Sequence, residues 1–232
     1  MQGIPALWHI WEHFDHSLRT GRSAAEKSLP GGFWGYFADN PEDNRLFNDA
    51  MSGLTHAQVA GILKAYDFSN FNTVADIGGG NGELLRAVLA ANPHLNGVLF
   101  DLPHVIEQAS AISSDRLTFE AGNFFEDPLP VCDAYLMKVI LHDWSDQEAA
   151  QILNAVRRSA PSHAKLLVGE FLVPEDNKPS WTLFVDLIML GELTGKERTQ
   201  SEFKDLLGRT GFRLDRVIET GFNTFLLESS VA

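Results

Sequence analysis

The sequence predicts an α/β fold, a doubly wound and mostly parallel sheet preceded by a helical N-terminal segment. Three observations predict it. Beyond Asn70, short β-branched or apolar runs alternate with stretches of helical periodicity, the pattern of successive βαβ units. A glycine-rich turn, "DIGGGNGE" (76–83), joins the first such run to the first such helix. The last two strand-like runs, 212–218 and 222–228, are separated only by "ETG", so they form a hairpin and bring one antiparallel strand into the sheet.

From Ala6 to Thr20 the periodicity is helical, with Leu7, Trp11, Phe14 and Leu18 making an apolar stripe that needs a partner surface. "LPGGFWGYFADNPED" (29–43) reads as a turn-rich connector, and a second helical stretch follows to about Ala65. "TVADI" is the first strand, and the helix "ELLRAVLAANP" ends before Pro93. "NGVLFDLP" is a second strand ending in Asp101, "HVIEQASAI" a helix, and "LTFEAGNFFE" a third strand. "CDAYLMKVIL" gives the fourth, and the helix "SDQEAAQILNAVRRSA" begins with a capping box of Ser145 and Glu148. "AKLLVGEFLVP" is a fifth strand, and the helices "SWTLFVDLIMLG" and "SEFKDLLGRTGF" precede the hairpin. Residues 1–70 thus read as a helical lead-in and 71–232 as the sheet domain.

Composition narrows the function classes. Hydrophobic residues at 44% and charged residues at 21% are ordinary for a soluble globular chain. No apolar run reaches the ~18 residues of a membrane span, and "MQGIPALWHIWEH" lacks a basic-then-apolar signal layout. The single Cys132 excludes an intramolecular disulfide and points to a reducing, cytoplasmic setting. A net charge of −13, with no basic cluster longer than "RR", argues against nucleic acid as a partner.

The glycine-rich turn allows positive φ and close approach of a ligand to the backbone, and the helix N-terminus behind it adds free N–H groups. Asp101 ends the next strand, where a carboxylate grips ribose hydroxyls. A dinucleotide and S-adenosylmethionine both suit that much. Asp76, two residues before Gly78, would repel a pyrophosphate but attract an amino-acid ammonium. With the antiparallel hairpin, it favours S-adenosylmethionine over NAD.

"KVILHDWSD" (138–146) puts His142 where an apolar strand ends. The histidine is either a base at the cleft edge or a polar marker of a turn; the capping box already accounts for the turn. "HIWEH" (9–13) matches an H-x-x-E-H zinc pattern, but the helix carries a packing stripe and no later helix offers an obvious third ligand, so no metal is expected. Glu197 in "GKERT" has a plain alternative as a surface partner of Lys196 or Arg198. Met51 and Met189 have one as core fillers.

From about Trp8 to Glu228 the chain resembles the catalytic part of S-adenosylmethionine-dependent O-methyltransferases of the caffeate, acetylserotonin and polyketide-tailoring type. The motifs carrying the resemblance are "VADIGGGNGELL", "GVLFDLPHVI", "GNFFEDPLP", "MKVILHDWSD", "VGEFLVPED", "DLIMLGELTGKERTQSEF" and "GF" at 211–212. It implies a Rossmann-like methyltransferase sheet, transfer of a methyl group to a hydroxyl of a small aromatic or polyketide-type acceptor, and S-adenosylhomocysteine as product. Family members usually carry a further N-terminal dimerisation domain, and this chain starts at what resembles the helix after it; a homodimer is still expected, from the apolar stripe that needs covering.

By resemblance, Asp76, Gly78 and Gly80 hold the methionine portion of the cofactor, Asp101 the ribose, and Leu102, Asn123 and Phe124 the adenine; many relatives have Asp in place of Asn123. Lys138 is another cofactor-side position. His142 is the general base, flanked by Glu170 and Glu197. Phe47, Met51, Trp144 and Met189 fall in the acceptor pocket, to which residues 1–70 contribute. Base and phenol differ by ~3.5 pKa units, or roughly 5 kcal/mol, so proton removal accompanies transfer or the site lowers the phenol's pKa. Glu170, near the end of the next strand, is expected to orient the ring. Two other readings keep the fold: a relative that uses S-adenosylmethionine without methylating, in hydroxylation, decarboxylation or pericyclic chemistry, and a non-catalytic fragment. The retained His142, Glu170 and Glu197 favour methyl transfer.

Overall fold

The computed structural model describes residues 4–111, 114–176 and 178–232; Ile112 of "HVIEQASAI" and the first three residues of the N-terminal motif lie outside the described residues. Helices α1 (Pro5–Glu12), α2 (Phe14–Thr20), α3 (Ala24–Ser28), α4 (Gly32–Asp39) and α5 (Pro41–Ala65) come first. The strands are β1 (Thr73–Ile77), β2 (Asn96–Asp101), β3 (Leu117–Ala121), β4 (Ala134–Lys138), β5 (Lys165–Val173), β6 (Arg198–Thr199), β7 (Phe212–Gly221) and β8 (Thr224–Val231). Between them run α6 (Glu83–Ala91), α7 (Pro103–Ala109), α8 (Asp146–Ser159), α9 (Trp181–Glu192) and α10 (Gln200–Arg209).

The sheet runs β3-β2-β1-β4-β5-β8-β7, with β6 pairing the end of β5. Strands β1 to β5 are parallel, and β8 is antiparallel to both neighbours. The winding reverses between β1 and β4, the switch point at which ligands bind in such sheets. The period-two rule explains the continuous apolar look of β4: Ala134 and Leu136 enter the core beneath α5, α6 and α7, whereas Tyr135 and Met137 enter the one beneath α8 and α10. A third core joins α1, α3 and α4 to Ile188, Met189 and Leu193 at the end of α9 and just beyond it.

Several elements differ from the sequence reading. The first helix breaks at His13 because burial follows Ile4, Leu7 and Ile10 and then moves to Ser17, turning Leu18 out to 65% exposure. The connector at 29–43 holds α4, since Phe33 and Phe37, four apart, bury their rings together. The fourth strand stops at Lys138, because Val139 adopts φ +56 and leaves the β region. The hairpin turns on Phe222 and Asn223, both at positive φ, so its strands run three residues further than read, to Gly221 and Val231.

Candidate active site

The glycine-turn end of the site is built from the ends of β1 and β2. Gly78, Gly80 and Gly82 all have positive φ, and the Gly78 N–H donates to the Phe100 carbonyl at 2.8 Å. A Cβ on Gly79 would sit 2.6 Å from the Asp76 carboxylate and one on Gly78 2.7 Å from Ile140, whereas Gly80 faces open space. Asp101 accepts from the Gly80 N–H at 2.8 Å and the Leu102 N–H at 2.7 Å, which fixes its carboxylate beside the turn. Leu102 itself is 43% exposed.

Asp76 is buried, and that burial pushes its carboxyl up to about 7 against the opposing pull of Lys138. Lys138 stands one pleat repeat beyond Leu136, the partner of Asp76 on the neighbouring strand. Burial holds its ammonium below the usual lysine range. Its Nζ donates to Gln58 on α5 at 3.3 Å, so the long helix closes over this end, and His56 (2.9 Å from Glu83) and Ser52 (3.3 Å from Asn81) do the same. Asn123 accepts from the Phe125 N–H at 3.0 Å, and Phe124 meets Trp144 edge-on at 5.9 Å. Phe47 and Met189 join the third core, where Phe47 packs 4.9 Å from Phe37; half-buried Met51 lies one turn along α5.

The other end is the loop after β4. Leu141–Asp143 form one 3-10 turn that carries His142. The imidazole Nδ1 lies 2.7 Å from Glu197 Oε1 and Nε2 lies 3.2 Å from Asp143 Oδ1. Glu170 has a different task from the ring-orienting one expected of it. Its Oε1 accepts the N–H groups of Ile140 (3.1 Å), Leu141 (2.8 Å) and His142 (3.3 Å), holding the backbone that Val139 strains. Burial, set against the nearby His142, raises the Glu170 carboxyl to about 7. Burial lowers the proton affinity of His142, but Asp143, Glu170 and Glu197 outweigh it and push the imidazole up to about 10. Asp143 rises to about 6, chiefly by burial. With Glu197 accepting from Nδ1–H, one proton is left to Nε2 and Asp143, and these affinities put it on the imidazole.

Glu197 is buried, not a surface partner of Lys196 or Arg198. Strand β6 delivers it, and its N–H donates to Asp186 on α9 at 2.8 Å. Arg198, fully buried, donates to the carbonyls of Leu141 (2.7 Å) and Trp144 (2.8 Å) and to Asp146 (2.9 Å), clamping both sides of the turn. A Cβ on Gly195 would come 1.8 Å from the His142 carbonyl, so only glycine lets the "GKERT" loop pass. Sequence reasoning missed Arg198, Asp143, Gln58 and Glu192. The last had a signal: an acid on the apolar face of "WTLFVDLIMLGE", three residues after Met189. His142, Glu170 and Glu197 are the one grouping among the described residues with metal-ligand atoms all within 4.8 Å; Oε1 of each glutamate meets the turn or the imidazole, and Oε2 of each is buried without a partner. At the N-terminal zinc-like motif, His9 instead pairs with Glu12 at 3.0 Å and His13 with the His9 carbonyl at 2.9 Å.

A family model described as an O-methyltransferase domain matches residues 11–213. The chain belongs to the O-methyltransferase family. This O-methyltransferase-family chain is 40% identical over 227 residues to a phenazine O-methyltransferase of Lysobacter antibioticus, covering 96% of this chain and 67% of that protein. Among solved structures, a mitomycin 7-O-methyltransferase superposes with a TM-score of 0.95 at 36% identity, over 100% of this chain and 70% of that one. Human N-acetylserotonin methyltransferase, solved in complex with S-adenosylmethionine, gives 0.91 at 27% identity, over 97% and 67%. The chain spans between 60% and 67% of the length of the first curated relatives it matches.

Proposed function

We propose that this chain carries an S-adenosylmethionine-dependent O-methyltransferase site in which His142 takes the proton from a hydroxyl of a small aromatic acceptor. The observation that supports it most is the setting of His142: buried, bonded to Glu197 at Nδ1, facing Asp143 at Nε2, on a turn whose Ile140 touches the glycine cradle. The cradle suits the cofactor on its own chemistry. Asp76 is a buried carboxylate of raised proton affinity that a cationic ammonium would hold ionised, Asp101 is fixed beside Gly80, and Gly80 leaves open space. Asp76, Gly78, Gly80 and Lys138 would hold the amino-acid end, Asp101 the ribose, and Leu102, Asn123 and Phe124 the adenine. When bound, S-adenosylmethionine supplies an already activated methyl group.

The protein's own task is to place the acceptor oxygen and receive its proton. An imidazole at about 10 matches a phenol of pKa ~10, so the ~3.5-unit gap of an ordinary histidine closes and proton transfer is nearly balanced. The same raised affinity keeps the resting imidazole protonated at neutral pH, so only the deprotonated fraction of His142 acts. Glu197 fixes the ring through Nδ1 and Glu170 fixes the backbone beneath it, both as positioning residues. Phe47, Met51, Trp144 and Met189 are proposed to shape the acceptor pocket.

Among the described residues no helix is long and apolar enough to cross a membrane. A homodimer and a cytoplasmic setting belong to the same proposal, supported by outward-facing Trp8, Leu18 and Trp181 and by Cys132, a buried free thiol. Labelled methyl transfer over a phenol panel tests the reaction. His142→Ala is expected to cut transfer by about 10²–10⁴-fold while calorimetry finds cofactor affinity unchanged. An unchanged rate would rule out the base.

A further inference from the structure

We propose that Gln58 is a positioning residue for the cofactor: from α5 it holds the Lys138 ammonium off Asp76, leaving Asp76 to the cofactor's own ammonium and Lys138 to its carboxylate. The inference rests on the methyltransferase reading of the site and extends its cofactor end into the lead-in helices.

Gln58 and Ile62, one turn apart, are the buried residues of α5. A buried amide needs partners for both its oxygen and its nitrogen, and Gln58 finds them on two different strands. Its Oε1 accepts from Lys138 Nζ at 3.3 Å, and its Nε2 donates to Thr224 Oγ1 at 2.7 Å. A lysine can only donate, so the amide oxygen must face Lys138 and the nitrogen Thr224, whose hydroxyl donates in turn to the Phe222 carbonyl at 3.4 Å. The helix behind the side chain is fixed as well. A Cβ on Gly61 would come 1.8 Å from the Thr220 carbonyl, so α5 rests directly on the backbone of β7. Gln58 is thus a strut from the hairpin to Lys138.

What the strut prevents follows from the register. Asp76 pairs with Leu136, and Lys138 lies two residues on, so both side chains leave the sheet on the face that α5 covers. Burial depresses the proton affinity of Lys138, and among the carboxylates that oppose this Asp76 leads. Yet the ammonium's one hydrogen bond among the described residues goes to the neutral amide of Gln58, and it makes no ion pair with Asp76. The Asp76 carboxyl lies instead against the glycine turn, 2.6 Å from where a Cβ on Gly79 would sit. A direct pair would spend each charge on the other. Held apart, the two present an anion and a cation to a ligand that carries one of each, an amino acid. A lysine has three donors and Gln58 takes one, which leaves two for an incoming carboxylate.

The test is calorimetry on the full chain with S-adenosylhomocysteine and with methylthioadenosine, which lacks the amino-acid end. Gln58→Met, close in volume but without the amide, is expected to weaken S-adenosylhomocysteine about tenfold, the loss of one hydrogen bond to a charged group. Methylthioadenosine should stay within about twofold of wild type, which also shows that the variant is folded. Lys138→Met should weaken S-adenosylhomocysteine at least as much. Adding Gln58→Met to it should cost no more than about twofold further, because Gln58 acts through Lys138. An unmoved S-adenosylhomocysteine affinity in Gln58→Met overturns the inference, and so do additive losses in the double variant. Equal weakening of both nucleosides does the same, since it would make Gln58 structural. Where methylthioadenosine binds too weakly to measure, the double variant decides. A wild type that binds neither nucleoside removes the cofactor reading and this inference with it; a wild type that binds S-adenosylhomocysteine no better than Gln58→Met does removes this inference alone.

Discussion

The two ends of the site are built by opposite means. The glycine cradle is assembled from residues 76 to 102, and its fixing contacts, Gly78 to Phe100 and Gly80 to Asp101, join two adjacent parallel strands. The His142 turn draws its supports from far along the chain, Glu170 on β5, Glu197 just before β6 and Arg198 on it. The cradle is open and held by backbone geometry. The turn is buried, strained at Val139, and held by ionisable groups whose charges set one another. The cradle is therefore sensitive to added side-chain bulk, and the turn to the loss of a charged partner.

Arg198→Met breaks the comparison hardest. It leaves the Leu141 and Trp144 carbonyls without their donors, at about 1–3 kcal/mol for each group left unsatisfied, and frees Asp146, which is half-exposed. Urea unfolding measures it; a loss under about 1 kcal/mol would mean that the turn stands without its clamp.

That asymmetry also decides what the sequence could reveal. Asp76, the glycines and Asp101 are legible because local spacing alone carries their geometry. The capping box at Ser145 and Glu148 forms as read for the same reason. Glu170 was read as a neighbour of the imidazole because parallel strands bring their ends together, and they do. What spacing along the chain does not encode is that Val139 turns left-handed and exposes three N–H groups that need an acceptor. Arg198 looked like a surface charge because its acceptors, Leu141 O and Trp144 O, are main-chain atoms 57 and 54 residues away. The break at His13 and the helix within 29–43 were not legible for a related reason: burial in these lead-in helices is set in part by α9, which comes far later in the chain.

A pH profile sharpens the contrast. Because carboxylates raise His142 to about 10, the base form grows as pH rises, and kcat/KM should climb about tenfold per unit from neutral pH toward an apparent pKa well above the ordinary ~6.5. Asp143 is the first of the groups that raise it, so Asp143→Asn is expected to move the rise to lower pH. An unmoved apparent pKa would detach Asp143 from the proton on Nε2. Cofactor affinity, governed at the other end, should follow Asp76 in both proteins.

The smallest effect on stability is expected at the cradle, and it separates binding from folding there. Gly80 sits at φ +58, so Gly80→Ala costs about 1–2 kcal/mol of backbone strain. Nothing in the protein lies within 4 Å of the added Cβ, which would project into the open space beside Asp101. If that space is where S-adenosylmethionine binds, the methyl group blocks it, and calorimetry should find cofactor affinity reduced by far more than the modest fall in unfolding midpoint accounts for. Unaltered affinity would place the cofactor elsewhere and leave the positive φ of Gly80 as a feature of the turn alone.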